Sequence, residues 1–286
     1  MRAAWSELGA IDPKALVEAR LQAHHAVQWV TRAAHANLPA MPDDSHSNLG
    51  WEPRLHGLVS HDLITSDGSL YRCGLRVDAM TLFVAKDSEM TSELRLDGRV
   101  DVDAASWIDD ILTDLGLDRT GGVALPYDIP ADPVAAGGRY SGAADRPAFA
   151  ELARWFEAAD DILEEVKPRL ADIGSASGAI RCWPHHFDIA TLLSLGRGDP
   201  ERAAAIGIGM SPGDAYYPQP YFYISAWPAP PVDGLPRLPV PGHWHTLGFV
   251  AAVATGEELL SIPEPRAGIR RYIDEAFAIA HGLLAA

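Results

Sequence analysis

The longest amphipathic period in the chain covers residues 145–174, and it constrains the fold more than any other stretch. Phe149, Leu152, Trp155, Phe156, Ile162, Leu163 and Val166 recur there at helical spacing. Asp145 is a good N-cap, Pro147 is tolerated near the start, and Gly174 is a natural stop. A helix with so wide an apolar stripe needs a sheet or further helices to cover it.

Strand signals lie on both sides of it. Before it, Asp12-Pro13 opens a helix with apolar residues from Leu16 onward that ends near Asn37. Ser66-Asp67-Gly68-Ser69 reads as a hairpin turn. Residues 70–77 alternate, and 80–85 and 93–96 follow as strands of an antiparallel meander. Asp103 then caps a helix through Leu117. After the long helix, strands are predicted over 179–183, 187–195, 204–210, 220–227 and 245–252. Glu264 or Pro265 starts a closing helix with Ile269, Tyr272, Ile273, Ala276, Phe277 and Ala280 inward. The predicted class is α+β: antiparallel sheets with flanking helices, in a pseudo-duplicated helix–strands–helix order. The halves are 1–120 and 145–286, joined by a Gly/Pro-dense segment at 121–144 and packed as one compact unit.

The net charge of −16 sets 23 basic residues against 39 acidic ones. Such a surface repels phosphate backbones and anionic lipid, so neither nucleic acid nor a membrane is an expected partner. Two cysteines, Cys73 and Cys182, each inside a predicted strand, give no disulfide framework and point to a cytoplasmic location. Glu7, Asp12 and Lys14 interrupt the N-terminal residues before any apolar signal core forms. No window has the apolar length of a membrane span.

The chemistry concentrates in the second half. His243 and His245, two apart at a strand start, face the same side. With His185 or His186 and Asp188 they make a nitrogen-and-oxygen donor set of the kind a divalent metal such as zinc or ferrous iron accepts. The more ordinary reading is that these histidines are hydrogen-bonded structural groups. Asp188 sits in the apolar run Phe187-Asp188-Ile189-Ala190-Thr191-Leu192-Leu193 and must be paired if buried. It is either a ligand or general base, or a structural carboxylate satisfied by loop amides or by an arginine such as Arg181. In the aromatic strand, alternation puts Tyr221, Tyr223 and Ser225 on one face and Phe222, Ile224 and Ala226 on the other, which suits an aromatic-lined pocket. Ile206-Gly207-Ile208-Gly209-Met210 lacks the third glycine, the lysine and the following helix of a phosphate loop. Cys182 reads as an inert buried thiol. Asp160, Asp161, Glu164 and Glu165 read as a solvated helix face.

Several of these stretches together resemble a bacterial family of unknown function. The resemblance lies in His24, Gln28 and Arg32 at four-residue spacing on the first helix, in Trp183 followed by Phe187-Asp188-Ile189-Ala190, and in the aromatic strand from Tyr223 to Pro230. It implies no activity, but it marks His24, Gln28, Arg32, Trp183, Asp188 and Tyr223 as ligand-binding candidates. The expected function is binding of a small organic ligand in an aromatic, His/Asp-lined pocket. The alternatives are a metal-dependent hydrolase using His243, His245 and His185 or His186, and a structural or homo-oligomerising module without a pocket.

Overall fold

The computed structural model describes residues 2–171, 173, 176–196, 203–238 and 241–285. In chain order, α1 (Arg2–Glu7) and α2 (Val17–Asn37) precede β1 (Gly50–Glu52), β2 (Gly57–Val59), β3 (Leu63–Ile64), β4 (Leu70–Arg76), β5 (Thr81–Lys86) and β6 (Glu89–Arg95). Two helices follow, α3 (Asp101–Asp114) and α4 (Arg146–Ala171). Then come β7 (Ala176–Ser177), β8 (Arg181–Trp183), β9 (Asp188–Ser194), β10 (Ala205–Ser211), β11 (Tyr221–Trp227), β12 (His243–His245) and β13 (Ala251–Thr255). The last elements are α5 (Gly256–Leu260) and α6 (Pro265–Ala285). Helices and two antiparallel sheets make this an α+β chain. No helix among the described residues is long and apolar enough to cross a membrane. The chain folds as two compact units, one of residues 15–153 with 181–187, the other of residues 1–14, 154–180 and 188–286.

Asp12 precedes a 3-10 turn at Pro13–Leu16, so the α-helix proper, which belongs to the first unit, begins at Val17. Ala23, Ala26, Val27, Val30, Ala33 and Ala34 of α2 are fully buried, and these small side chains let the helix lie close to β4 and α3. The sheet runs β1-β2-β4-β5-β6, with β3 also beside β4. Its register pairs Gly74 with Phe83 and Arg76 with Thr81. Cys73, Leu75, Leu82, Val84 and Leu94 share one buried face, and Phe83 and Ala85 pack with Leu55 and Val59 on the other. Residues 121–144 carry no helix or strand and belong to this unit.

In the second unit the strand order is β12-β13-β11-β10-β9-β7. Ile189, Leu193, Ile206, Ile208, Met210, Phe222, Ile224, Ala252 and Ala254 form one buried face, and α6 packs on β10 and β11. All six inward residues predicted for α6 are buried, and so is the whole predicted stripe of α4. The predicted stop at Gly174 lies outside the described residues. Two expectations need correction. The predicted strand over 245–252 is two strands: Gly248 takes φ +85°, the chain turns, and β12 pairs back on β13 with His243 opposite Val253 and His245 opposite Ala251. The acidic face of α4 is also paired. Asp161 accepts the Trp5 indole N–H at 2.8 Å and an Arg266 N–H at 3.1 Å, and Glu165 lies 2.6 Å from Arg266. The arginines of α6 and the tryptophan of α1 therefore turn that face into a seam.

Candidate functional site

The face of the second sheet opposite α6 carries the polar and aromatic groups. Cross-strand register aligns Asp188, Ala190, Gly207, Gly209, Tyr221, Tyr223, Ser225, Val253, His243 and His245 on it. Gly209 is the enabling residue. A Cβ there would sit 2.7 Å from the Ala190 Cβ, 2.7 Å from the Tyr223 hydroxyl and 2.8 Å from the Ile189 carbonyl. With no side chain at 209, the Tyr223 phenol lies across β10 and its hydroxyl donates to the Asp188 carboxylate. The predicted demand of Asp188 for a partner is thus met by a tyrosine hydroxyl from β11.

At the β12 end of this face, one hydroxyl joins two imidazoles. Tyr217 Oη lies 3.0 Å from His243 Nε2 and 3.0 Å from His245 Nδ1. The partners assign the protons. His245 Nε2 is 2.7 Å from the Leu247 carbonyl, which can only accept, so Nε2 carries a hydrogen. With that ring neutral, Nδ1 accepts the Tyr217 hydroxyl proton, and the Tyr217 oxygen is left to accept from His243 Nε2–H. His243 Nδ1 in turn lies 3.6 Å from Glu258 Oε1. The other Glu258 oxygen is fixed by a capping box at the head of α5, accepting the Thr255 N–H at 2.7 Å and the Thr255 hydroxyl at 2.8 Å. The result is a directed hydrogen-bonded chain, His243–Tyr217–His245–Leu247, with the Glu258 carboxylate just beyond its His243 end.

Asp214 positions the loop that carries Tyr217. Its Oδ1 accepts the N–H groups of Tyr216 and Tyr217, each at 2.8 Å, and its Oδ2 accepts the Tyr221 hydroxyl at 2.7 Å. Burial, with Asp214 and Glu258 beside it, pushes the Tyr217 hydroxyl above the usual tyrosine range, so it is held as a neutral donor. The surrounding rings are accessible: Tyr216 is 46% and Phe249 36% exposed. Both pack on His245, with ring centroids 4.8 and 4.1 Å away.

The helical candidates lie in the first unit and work as a clamp on the turn at 184–187. His24 Nε2 donates to the Pro184 carbonyl at 2.8 Å, and the Gln28 amide donates to the same oxygen at 2.9 Å. The Tyr127 hydroxyl donates to Gln28 Oε1 at 2.9 Å. The His24 ring stacks on Phe187, whose backbone takes φ 58° at the turn. Burial pushes the His24 imidazole down to about 4, with Pro184 opposing and with His25, Arg20 and His186 adding to the drop. Burial and then His186 bring His185 down to about 4 as well. His185 and His186 lie ring to ring at 4.2 Å, with Trp183 6.1 Å from His185. Arg32 turns away to donate to the Val123 carbonyl and sits over the Trp29 ring.

Of the predicted residues, the structure therefore gathers His24, Gln28, Trp183, His185 and His186 in one unit, and Asp188, Tyr223, His243 and His245 on one sheet face of the other. Among the described residues, no group of three or more His, Cys, Asp or Glu side chains is placed to hold a metal ion. Sequence reasoning did not single out Tyr217, Glu258 or Asp214. The available signal was Tyr217 itself, in the aromatic stretch leading into β11. No protein-family model matches the chain, and no curated protein or solved structure compared with it is similar.

Proposed function

We propose that the chain binds a small planar organic molecule at the β12 end of the second sheet. Tyr216 and Phe249 offer exposed ring faces, and His243, half exposed, is the solvent-facing end of the hydrogen-bonded chain. The observation that carries this reading is the Tyr217 hydroxyl held between two imidazoles, because it fixes which ring nitrogen donates and which accepts. A ligand polar group meeting His243 therefore meets an oriented partner. The directed chain also supports a second reading, general acid–base catalysis on the bound molecule. Tyr217 would pass a proton between His243 and the buried His245. A cytoplasmic location accords with two buried free thiols, and the repeated helix–sheet–helix order supports descent of the two halves from one unit.

The test is a panel of phenols, indoles and aminopyridines, titrated against the full chain by ligand-observed NMR. Tyr217→Phe removes the hydroxyl, keeps the ring, and should weaken the tightest member about tenfold, the worth of one oriented hydrogen bond. If no member binds saturably, or if Tyr217→Phe binds as wild type does, the reading fails.

A further inference from the structure

The chain has 23 lysines and arginines against 39 acidic residues, so carboxylates are available for its guanidinium groups to pair with. Arg154, Arg169 and Arg266 do so. Several arginines of the first unit are in no ion pair among the described residues, and three of them, Arg76, Arg95 and Arg146, line one cleft. Arg76 ends β4, Arg95 ends β6, and Thr81 of β5 pairs directly with both. Residues directly opposite one another in a sheet leave the same face. The two arginines thus flank Thr81 with Cα atoms about 10 Å apart, two strand spacings. The third, Arg146, is the first residue of the 26-residue α4. Gly142 and Ala143, just before it, are pinned to the end of β6. Asp97 accepts the Ala143 N–H at 2.8 Å, and Gly142 packs so closely that a Cβ would be 3.1 Å from the Met80 Cβ.

These elements border an open cleft of about 400 Å³, with Arg76, Thr81, Arg95, Arg146, Glu93 and Asp97 in its walls. Among the described residues none of the three guanidinium groups is in an ion pair or donates a hydrogen bond, and Arg76 Nε is buried without a partner. Like charges held on one face repel, and nothing in the walls neutralises all three. The walls set three guanidinium groups against two carboxylates, Glu93 and Asp97, and one Asp97 oxygen is taken by the Ala143 N–H, so one positive charge is left over.

We infer that this cleft is an oxyanion site for the phosphate group of a small phosphorylated polyol. Three guanidiniums match a dianion with several acceptor oxygens, and arginine binds phosphate in fork geometry. The start of α4 adds the positive end of its dipole. The volume exceeds that of a phosphate alone, so a further group enters with it. Glu93 in the same wall repels a second anionic group and accepts hydroxyl protons, which selects a neutral, hydroxylated remainder.

The experiment is calorimetric titration of the full chain with inorganic phosphate, glucose 6-phosphate, glucose and citrate. Glucose 6-phosphate should bind saturably and more tightly than phosphate, and glucose alone should not bind. Arg95 and Arg146 are exposed, so Arg95→Gln and Arg146→Gln keep the fold. Each should weaken glucose 6-phosphate about tenfold or more. Arg54→Gln makes the same charge change on an exposed residue outside the cleft and should leave the affinity within about twofold. The inference is overturned if neither phosphate probe binds saturably, if citrate binds more tightly than glucose 6-phosphate, or if Arg54→Gln costs as much as Arg95→Gln.

Discussion

Acidification from pH 6.5 to pH 4 is expected to remove about 3 kcal/mol of stability through His24 alone. The ring is buried against Phe187 and donates through Nε2 to the Pro184 carbonyl, and burial pushes it from 6.5 down to about 4. Its folded value is lower than its unfolded value. Between the two, the unfolded chain takes up a proton that the folded chain refuses, so stability falls as pH falls through this window and levels off below it. Protonation would add a second N–H inside a buried site already facing Arg20, His25 and His186. Carboxylates titrate in the lower part of the same range, so the measurement is a comparison. Urea midpoints are followed from pH 7 to pH 4 for wild type and for His24→Gln. The glutamine can still donate toward Pro184 but cannot take up a proton. Its stability should fall less steeply with acid than that of wild type, and parallel curves would remove His24 from the account.

Gly209→Val is expected to cost about 3 kcal/mol or more. The cost has two parts. Overpacking a well-filled site costs about 1–3 kcal/mol. At Gly209 the obstacles are the Ala190 Cβ and the Ile189 carbonyl of β9, which cannot swing aside. The Tyr223 phenol must also leave, which takes its hydroxyl away from the buried Asp188 carboxylate, a loss of about 1–3 kcal/mol. Gly207, two residues earlier on the same face, is the control. A Cβ there meets the Ser225 hydroxyl at 2.8 Å, the end of a side chain that can rotate. Gly207→Ala should therefore cost less than about 1 kcal/mol. Urea denaturation of both variants decides. Near-wild-type stability for Gly209→Val would show that Tyr223 does not lie across β10 as described.

The parts of the fold legible in the sequence are those with a strong local period. The α4 stripe, the inward face of α6 and the alternation of Tyr221–Trp227 all depend on neighbours within a few residues, and burial matches them. The break at Gly248 was hidden because Leu247 and Phe249 continue an apolar run through the turn, although both are exposed. Asp188 could be recognised as needing a partner, since a carboxylate in an apolar run has few alternatives. Which partner it takes depends on an absent side chain at Gly209, and no pattern on β9 encodes that. The histidines were visible as residues but not as roles. His24 meets Pro184 across 160 positions of sequence, and Tyr217 meets His243 across 26. The acidic face of α4 looked solvated because its arginine partners lie 105 residues away on α6. Arg76, Arg95 and Arg146 are scattered in sequence and become neighbours only through strand register and the start of α4.

Tyr217 is the bridge that orders the β12 end of the second sheet, where the proposed ligand would bind. The most direct measurement is the long-range 1H–15N imidazole spectrum of the full chain at neutral pH, with and without the tightest member of the planar panel. His245 should show its proton on Nε2 and a bare Nδ1, His243 should carry a proton on Nε2, and the added fragment should shift the His243 nitrogens. Tyr217→Phe should disturb both tautomers while the chain stays folded. Two rings with averaged tautomers, indifferent to the fragment and to Tyr217→Phe, would show that Tyr217 does not bridge them.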